Sequence, residues 1–463
     1  MLATALVCAR KVSPCVLAGA AFVTVVSVLG AAVVRGRGGR LGGANGAKEP
    51  SPTFWIDAPR EPQSQVVSAH EAGSLPYPQD ALPGGRDAET PYGTIRVFEW
   101  GPEDGERVLL LHGISTPCLA LGGIAHTLVE SGYRVMLFDF FGRGYSDTPA
   151  GLSFDLRLYS SQILLVLASS SLPWTGDGGF HLMGYSLGGG VAASFASYFP
   201  HMLRSLTLVA GGGLIRRAHA SWTSKLLYSS GILPNWLLER LIRSRLMPAK
   251  QQLGRHPRPE DCGPGPTAPP EQPAALAEAD MLLADLRAPG RGDVRPHGNS
   301  DASGGDSFDN AVLPNGATVA SVMEWQLRNH AGFVRAFMST LNHGPIFEER
   351  ETWRRLGSRL AERRHPRAGS NGTGHQKLEP GLTGGKVLLV LGASDPVIVM
   401  DELVPDATNV LGPDGLQTVV LDAGHEVAIV KGPEVAMAAM QFWEQSAKPT
   451  NSPKDSLAST FGI

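Results

Sequence analysis

The sequence predicts an α/β protein whose central sheet is mostly parallel. Short apolar runs alternate with helical segments, and many of the runs end in Gly, Ser, Asp or His. Strands that are apolar on both faces are typical of a parallel sheet covered by helices on each side. The predicted strands are 94–101, 107–113, 133–140, 180–186, 204–211, 386–395 and 416–425. The predicted helices are 122–132, 160–171, 188–199, 321–341 and 434–447.

The N-terminal region predicts a membrane anchor. Residues 12–34 carry no charged side chain and are numerous enough to cross a hydrocarbon core of about 30 Å. Arg10 and Lys11 precede this run, Arg35 follows it, and no acidic residue precedes Glu49. A single-pass anchor is the prediction, with a cleaved signal peptide and an organelle presequence as alternatives. We expect an endomembrane location, with a mitochondrial or secreted one as alternatives.

The α/β pattern is interrupted once by a long insertion. Amphipathic segments on either side of a Pro- and Gly-rich stretch predict a helical cap. Within it, about 250–318 is expected to be disordered, because its apolar content is too low to offset chain entropy. The predicted segments are an anchor at 12–34, a flexible linker at 35–60, a core at 61–211 and 346–449, the cap at 212–345, and a tail at 450–463.

Composition excludes several classes of protein. A formal net charge of −3 and a pI near 6.5 argue against nucleic-acid binding. The cysteines Cys8, Cys15, Cys118 and Cys262 are scattered and form no metal-binding pattern. Nothing in the sequence implies a metal or a nucleotide cofactor.

Residues 184–188, GYSLG, fit the G-x-S-x-G pattern of a nucleophile at a sharp turn. The chain has 56 Gly in 463 residues, so this short pattern can occur by chance and its structural context has to show whether Ser186 is a nucleophile. A phosphate loop is the alternative, since Gly188, Gly190 and Ala193 satisfy G-x-G-x-x-G/A. That alternative is weak, because no acidic residue stands between Gly188 and Glu239 and no Lys follows the last glycine. Ser186 instead follows an apolar strand and precedes a helix, as a nucleophile elbow requires.

A nucleophilic serine needs a base, a carboxylate to orient that base, and N–H donors for the oxyanion. Asp395 and His425 each follow one of the later apolar strands, so they should share the carboxyl edge of the sheet with Ser186. Asp401 and Asp422 are the alternatives for the carboxylate.

The oxyanion donors are predicted from the same edge. Leu187 opens the helix after Ser186, so its N–H should point toward a developing oxyanion. The segment 112–115, HGIS, ends an earlier strand, and the N–H of Ile114 is the second candidate. His112 is expected to shape this loop through hydrogen bonds rather than act as a base.

The chain resembles the α/β-hydrolase superfamily, and within it the cap-bearing branch of serine esterases, lipases and epoxide hydrolases. The matching stretches are His112-Gly113, 138–147 (FDFFGRGYSD), 184–188 (GYSLG), 392–397 (GASDPV) and 423–426 (AGHE). The resemblance implies Ser186 as nucleophile, Asp395 as acid and His425 as base. Epoxide hydrolases and haloalkane dehalogenases carry Asp at the position of Ser186. The chain departs from the family at Phe141, where Arg or a polar residue is usual, and in its long cap.

The expected function is hydrolysis of a hydrophobic or lipid-like carboxylic ester through an acyl-enzyme. The alternatives are another reaction on the same residues, namely carbon–carbon hydrolysis, perhydrolysis or acyl transfer, and a catalytically silent scaffold tethered to a membrane. The expected partners are a small hydrophobic ester and, through the N-terminal helix, a membrane. Asp139 and Asp147 are expected to fix the loop between them rather than take part in chemistry.

Overall fold

The computed structural model describes residues 54–60, 75–176, 179–216, 240, 243, 310–313, 316–365 and 381–447. The predicted anchor, most of the linker, most of the stretch 250–318 and the tail lie outside these residues. Among the residues described, no helix is both long and apolar enough to span a membrane. The N-terminal anchor therefore stays a prediction.

The described strands form an eight-stranded sheet and a separate pair. In chain order the strands are β1 (Trp55–Ile56), β2 (Gly85–Ala88), β3 (Ile95–Trp100), β4 (Arg107–Leu111), β5 (Arg134–Phe138), β6 (Thr148–Pro149), β7 (Phe180–Tyr185), β8 (Leu203–Val209), β9 (Val387–Gly392) and β10 (Leu416–Leu421). The large sheet has the order β10-β9-β8-β7-β4-β5-β3-β2, while β1 pairs with β6. Its neighbours run parallel from β10 to β5, and the pairs β3–β5 and β2–β3 are antiparallel. The predicted α/β class with a mostly parallel sheet is confirmed.

Helices cover both faces of this sheet. The described helices are α1 (Gly122–Glu130), α2 (Leu156–Ala168), α3 (Leu187–Tyr198), α4 (Val319–Asn329), α5 (Phe333–His343), α6 (Arg350–Arg364), α7 (Met400–Leu411), α8 (Val427–Val430) and α9 (Gly432–Ala447). Helices α1 and α9 pack together, and α3 packs against α2 and α6. Strands β7 and β9 are buried at every position, which explains why their sequences are apolar without alternation.

The predicted helix 321–341 is wrong in one respect, because the structure divides it into α4 and α5. His330 has an extended backbone (φ −97°, ψ 101°) that ends α4. Gly332 lies so close to Thr148 that an added Cβ would be 1.9 Å from the Thr148 Oγ1 atom. The chain breaks here because the two helices pack against the loop that follows β5, which helical periodicity does not reveal.

Residues on either side of the predicted cap lie next to each other. After β8 the Gly213 N–H donates to Ile346 O at 2.7 Å, and Gly213 O accepts from the Glu349 N–H at 2.7 Å. Ile215 also forms a parallel bridge with Phe347. Segments near the two ends of the predicted cap thus lie side by side, directly after β8 and before α6.

Candidate active site

Ser186 occupies a strained turn between β7 and α3. Its backbone angles are φ 51° and ψ −117°, a conformation that costs a non-glycine residue on the order of 1–3 kcal/mol. The turn closes because its flanking residues are glycines: a Cβ on Gly184 would lie 2.1 Å from Gly188 O, and one on Gly188 would lie 2.2 Å from Leu111 O. The sequence thus holds the Ser186 side chain at the carboxyl edge of the sheet.

The structure joins Ser186, His425 and Asp395 by hydrogen bonds. Ser186 Oγ lies 3.0 Å from His425 Nε2, and His425 Nδ1 lies 2.9 Å from Asp395 Oδ2. The other carboxylate oxygen, Oδ1, accepts from the N–H groups of Val397 and Ile398, both at 2.8 Å. A carboxylate held in this way keeps the proton of His425 on Nδ1, so that Nε2 accepts from the Ser186 hydroxyl.

The two alternative carboxylates lie elsewhere. Asp401 is exposed in the first turn of α7, and Asp422 is exposed after β10. The Asp395 side chain, by contrast, is completely buried against His425. Of the three candidates, Asp395 is therefore the one in hydrogen-bond contact with the imidazole.

The amides of Leu187 and Ile114 lie on the two segments next to Ser186. Leu187 is the first residue of α3. The loop after β4 passes beside the serine, since a Cβ on Gly113 would lie 3.5 Å from Ser186 Cβ. Within the described residues, neither the Leu187 N–H nor the Ile114 N–H donates to an acceptor of the chain. Both donors are thus available to an oxyanion.

His112 shapes the loop that carries Ile114. The Phe140 N–H donates to His112 Nε2 at 2.8 Å, so the ring proton is on Nδ1, which donates to Gly113 O at 2.7 Å. Burial, reinforced by the nearby Arg143 guanidinium, lowers the pKa of His112 to about 3. A neutral imidazole with both nitrogens engaged is a structural element and not a general base.

Asp139 and Asp147 each fix backbone around the loop between them. Asp139 accepts from the N–H groups of Cys118 and Tyr145, both at 2.9 Å. Asp147 accepts from the Thr94 N–H at 2.7 Å. Burial raises the pKa of Asp139. These contacts agree with the structural role expected from the sequence.

Sequence reasoning missed two buried side chains beside the candidate oxyanion loop. Arg143 donates from Nε to Ile114 O at 3.1 Å, and Gln326 donates from Nε2 to Ser115 O at 2.8 Å. Arg143 stands inside the family-like stretch 138–147, which could have drawn attention to it. Gln326 carried no such signal, because it reaches the loop from a distant helix.

No metal-binding arrangement is present in the described ranges, since they contain no suitable group of three or more His, Cys, Asp or Glu side chains. Cys118 is buried and has a free thiol, and burial raises its pKa. Cys8, Cys15 and Cys262 lie outside those ranges. Within the described ranges, the groups available for chemistry at this site are thus the side chains of Ser186, His425 and Asp395 and the backbone amides.

In comparison with known proteins, residues 106–256 match a family model described as the alpha/beta hydrolase fold. A serine hydrolase-like protein of Danio rerio is 32% identical over 129 residues, 27% of this chain and 37% of that protein. One of Dictyostelium discoideum is 31% identical over 125 residues, 27% of this chain and 33% of the relative. The chain thus spans about a third of the length of these curated relatives. The solved structure of naproxen esterase from Bacillus subtilis has a TM-score of 0.46 at 15% identity, covering 81% of this chain and 95% of the esterase.

Proposed function

We propose that this chain, which matches the alpha/beta hydrolase fold over residues 106–256, is a serine hydrolase of that superfamily that cleaves carboxylic esters. The observation that carries this proposal is the continuous hydrogen-bonded chain from Ser186 Oγ through His425 to Asp395. Its first member has a strained backbone at φ 51°. Strain that persists at a serine next to an imidazole is typical of an active nucleophile.

In the proposed reaction, Ser186 Oγ attacks the ester carbonyl and its proton passes to His425 Nε2. Asp395 stabilises the resulting imidazolium and keeps its orientation. The Leu187 and Ile114 N–H groups donate to the tetrahedral oxyanion, and one such donor lowers the barrier by roughly 3 kcal/mol. The imidazolium then protonates the leaving alcohol, an acyl-enzyme forms, and water releases the acid by the same steps with His425 as base.

The proposed ester is hydrophobic or lipid-like. The predicted anchor at 12–34 would hold the site near a membrane, and the predicted cap at 212–345 would cover the carboxyl edge of the sheet. Directly after Asp395 the chain is apolar, with Val397 and Ile398 buried and Val399 41% exposed. Such surroundings favour an apolar acyl or alcohol group over a charged one.

Labelling with a fluorophosphonate probe tests for an activated serine. We expect the whole chain, expressed in cells, to be labelled and Ser186→Ala not to be labelled. His425→Ala and Asp395→Asn should be labelled far more slowly, because Ser186 then lacks a correctly oriented base. A folded wild-type protein that is not labelled would contradict the proposal and favour the silent, membrane-tethered scaffold.

A series of p-nitrophenyl esters tests the substrate class. With the detergent-solubilised full chain, we expect kcat/KM to rise from acetate to longer acyl chains. Each methylene that enters an apolar site contributes about 0.8 kcal/mol, so acetate should be among the poorest substrates. A preference for acetate would refute the lipid-like substrate while leaving the serine hydrolase intact. Labelling without turnover of any ester would favour the other reactions of the same triad.

A further inference from the structure

The loop that carries the Ile114 amide is held by three consecutive carbonyl groups, each bound to a buried side chain. Gly113 O accepts from His112, Ile114 O from Arg143, and Ser115 O from Gln326. All three donor side chains are fully buried. Because a peptide unit is planar, fixing its carbonyl also fixes its N–H. The Gly113 carbonyl belongs to the same peptide unit as the Ile114 N–H, so His112 sets the direction of that N–H directly, while Arg143 and Gln326 fix the two peptide units that follow it.

Two of the three donors connect this loop to helices α4 and α5. Gln326 lies on α4, and its amide bridges two loops: Nε2 donates to Ser115 O at 2.8 Å and Oε1 accepts from the Gly144 N–H at 2.9 Å. Arg143 donates from Nη2 to Thr340 Oγ1 on α5 at 2.9 Å. Both helices lie within the segment 212–345 predicted as a cap, so residues of that segment contact the oxyanion loop directly.

Thr340 is itself fixed on both sides. Its Oγ1 donates to Ala336 O at 2.7 Å, one turn earlier in α5, and lies 2.7 Å from the hydroxyl of Tyr159 on α2. The ring of Phe154 lies 5.8 Å below the Arg143 guanidinium. Arg143 is therefore held between the Phe154 ring and Thr340, and Thr340 is held in turn by α5 and by Tyr159 of α2.

We propose that Gln326 and Arg143 are positioning residues through which α4 and α5 set the oxyanion hole. This inference rests on the proposed serine hydrolase function. Neither side chain touches the reacting atoms. They hold the two peptide units that directly follow the Ile114 amide, and a small error in the position of this loop weakens a donor that acts on the oxyanion of the transition state.

The test uses Gln326→Glu, which keeps the shape and the acceptor for Gly144 but replaces the donor to Ser115 O with an oxygen. With p-nitrophenyl butyrate, we expect kcat to fall about 10- to 100-fold, with KM within about threefold. A trifluoromethyl ketone gives a second readout. Ser186 Oγ bonds to its carbonyl carbon, the carbonyl becomes an oxyanion, and the serine proton moves to His425. Its inhibition constant should rise by the same factor by which kcat/KM falls, because both report binding of the oxyanion.

Three further variants separate positioning from folding. Arg143→Lys keeps a buried cation but loses the planar guanidinium, and it should show the same paired losses. His330→Gln alters another buried cap side chain, one that contacts Ser146 O, and should lower Tm without changing kcat. Arg328→Gln removes an exposed pair with Glu324 on α4 and should change neither.

The outcomes distinguish this inference from the proposed function. A wild-type protein that neither labels nor hydrolyses esters overturns both. An active wild type, with kcat and ketone inhibition unchanged in folded Gln326→Glu and Arg143→Lys, overturns the positioning role alone. A rise in KM with kcat unchanged would also overturn it, since that result indicates substrate contact rather than oxyanion geometry. If Gln326→Glu does not fold, Gln326→Met and Arg143→Lys decide by the same criteria.

Discussion

The protein contains a second hydrogen-bonded chain of serine, histidine and carboxylate, and comparing the two shows what makes the first a candidate active site. In the second chain, Ser205 Oγ lies 2.7 Å from His181 Nδ1, and His181 Nε2 lies 3.1 Å from Glu106 Oε2. The corresponding distances at Ser186 are 3.0 Å and 2.9 Å. Contact distances alone therefore do not identify a nucleophile.

The backbones of the two serines differ. Ser205 lies inside β8 and is paired with His181 of β7, beside a shift in the register of that parallel ladder, so it belongs to the sheet and not to a turn. Ser186 ends β7 in a strained turn, with the first amide of α3 directly after it. Among the described residues, Ser186 is the one serine with a strained backbone, and the neighbouring Leu187 and Ile114 amides lack an acceptor within the described chain.

The carboxylates also differ in their environment. The Glu106 side chain is 53% exposed and forms an ion pair with Arg204, whereas Asp395 is buried and receives two backbone N–H groups. The His181 ring is stacked on Trp443 with 4.0 Å between ring centroids. His181 therefore serves as a core aromatic with two satisfied nitrogens. The same three residue types support the fold in one place and are proposed to carry out chemistry in the other.

The largest expected effect comes from removing each serine hydroxyl. Ser186→Ala should lower kcat for an ester substrate by at least about 10³-fold, because no covalent intermediate can form. Ser205→Ala should leave kcat within about twofold and cost about 1 kcal/mol of stability, the usual contribution of one hydrogen bond. Ester turnover and urea unfolding of both variants measure this contrast. Comparable losses of kcat in the two would break the distinction.

The next largest effect comes from changing each carboxylate to its amide. In Asp395→Asn, the position bonded to the Val397 and Ile398 N–H groups must remain an oxygen, so the new NH₂ group faces His425 Nδ1. The imidazole proton is then forced onto Nε2, toward Ser186, and the base function is lost. We expect kcat to fall by about 10³- to 10⁴-fold.

Glu106→Gln is the matched control. Its amide oxygen can still accept from His181 Nε2, so kcat should not change. Steady-state turnover, with near-ultraviolet circular dichroism to establish folding, measures both variants. An Asp395→Asn protein with wild-type kcat would show that this carboxylate does not orient the base.

The sequence could anticipate the parallel sheet because β7 and β9 are apolar at nearly every position, a local pattern. It could also place Ser186, Asp395 and His425 at one edge, because each comes within a few residues of the end of a predicted strand. The sequence did not predict strand β2, because its residues, GRDA, show neither apolar alternation nor an apolar run. Its pairing is set by its neighbour β3.

The contacts of helices α4 and α5 with the loops after β4 and β5 could not be predicted from the sequence. The bond from Arg143 to Thr340 joins residues 197 positions apart, and that from Gln326 to Ser115 joins residues 211 positions apart. Within α4, Gln326 occupies a buried position that hydrophobic periodicity assigns to an apolar residue. The break at His330 has the same origin, since Gly332 and Thr148 meet only after the chain has folded.

The smallest expected effect is on how stability depends on pH, and it concerns Glu106 of the second hydrogen-bonded chain. The hydrogen bond from His181, aided by Arg204, lowers the pKa of Glu106 from its ordinary 4.5 to about 2. A carboxylate whose pKa is lower in the folded chain contributes stability that is complete above its unfolded pKa and is lost as the pH falls toward the folded value. Burial lowers the pKa of His181 from its ordinary 6.5. As the pH falls below 6.5, the unfolded chain takes up a proton at this histidine before the folded chain does, so the free energy of unfolding decreases.

We therefore expect the free energy of unfolding of Glu106→Gln to fall less steeply than that of the wild type between pH 4.5 and pH 2. The difference should be no more than about 1 kcal/mol, because the Glu106 side chain is half exposed and screened by solvent. Urea unfolding followed by tryptophan fluorescence at several pH values measures it. Parallel curves for the two proteins would show that the Ser205–His181–Glu106 chain stores no pH-dependent stability, and its structural role would then rest on packing against Trp443 alone.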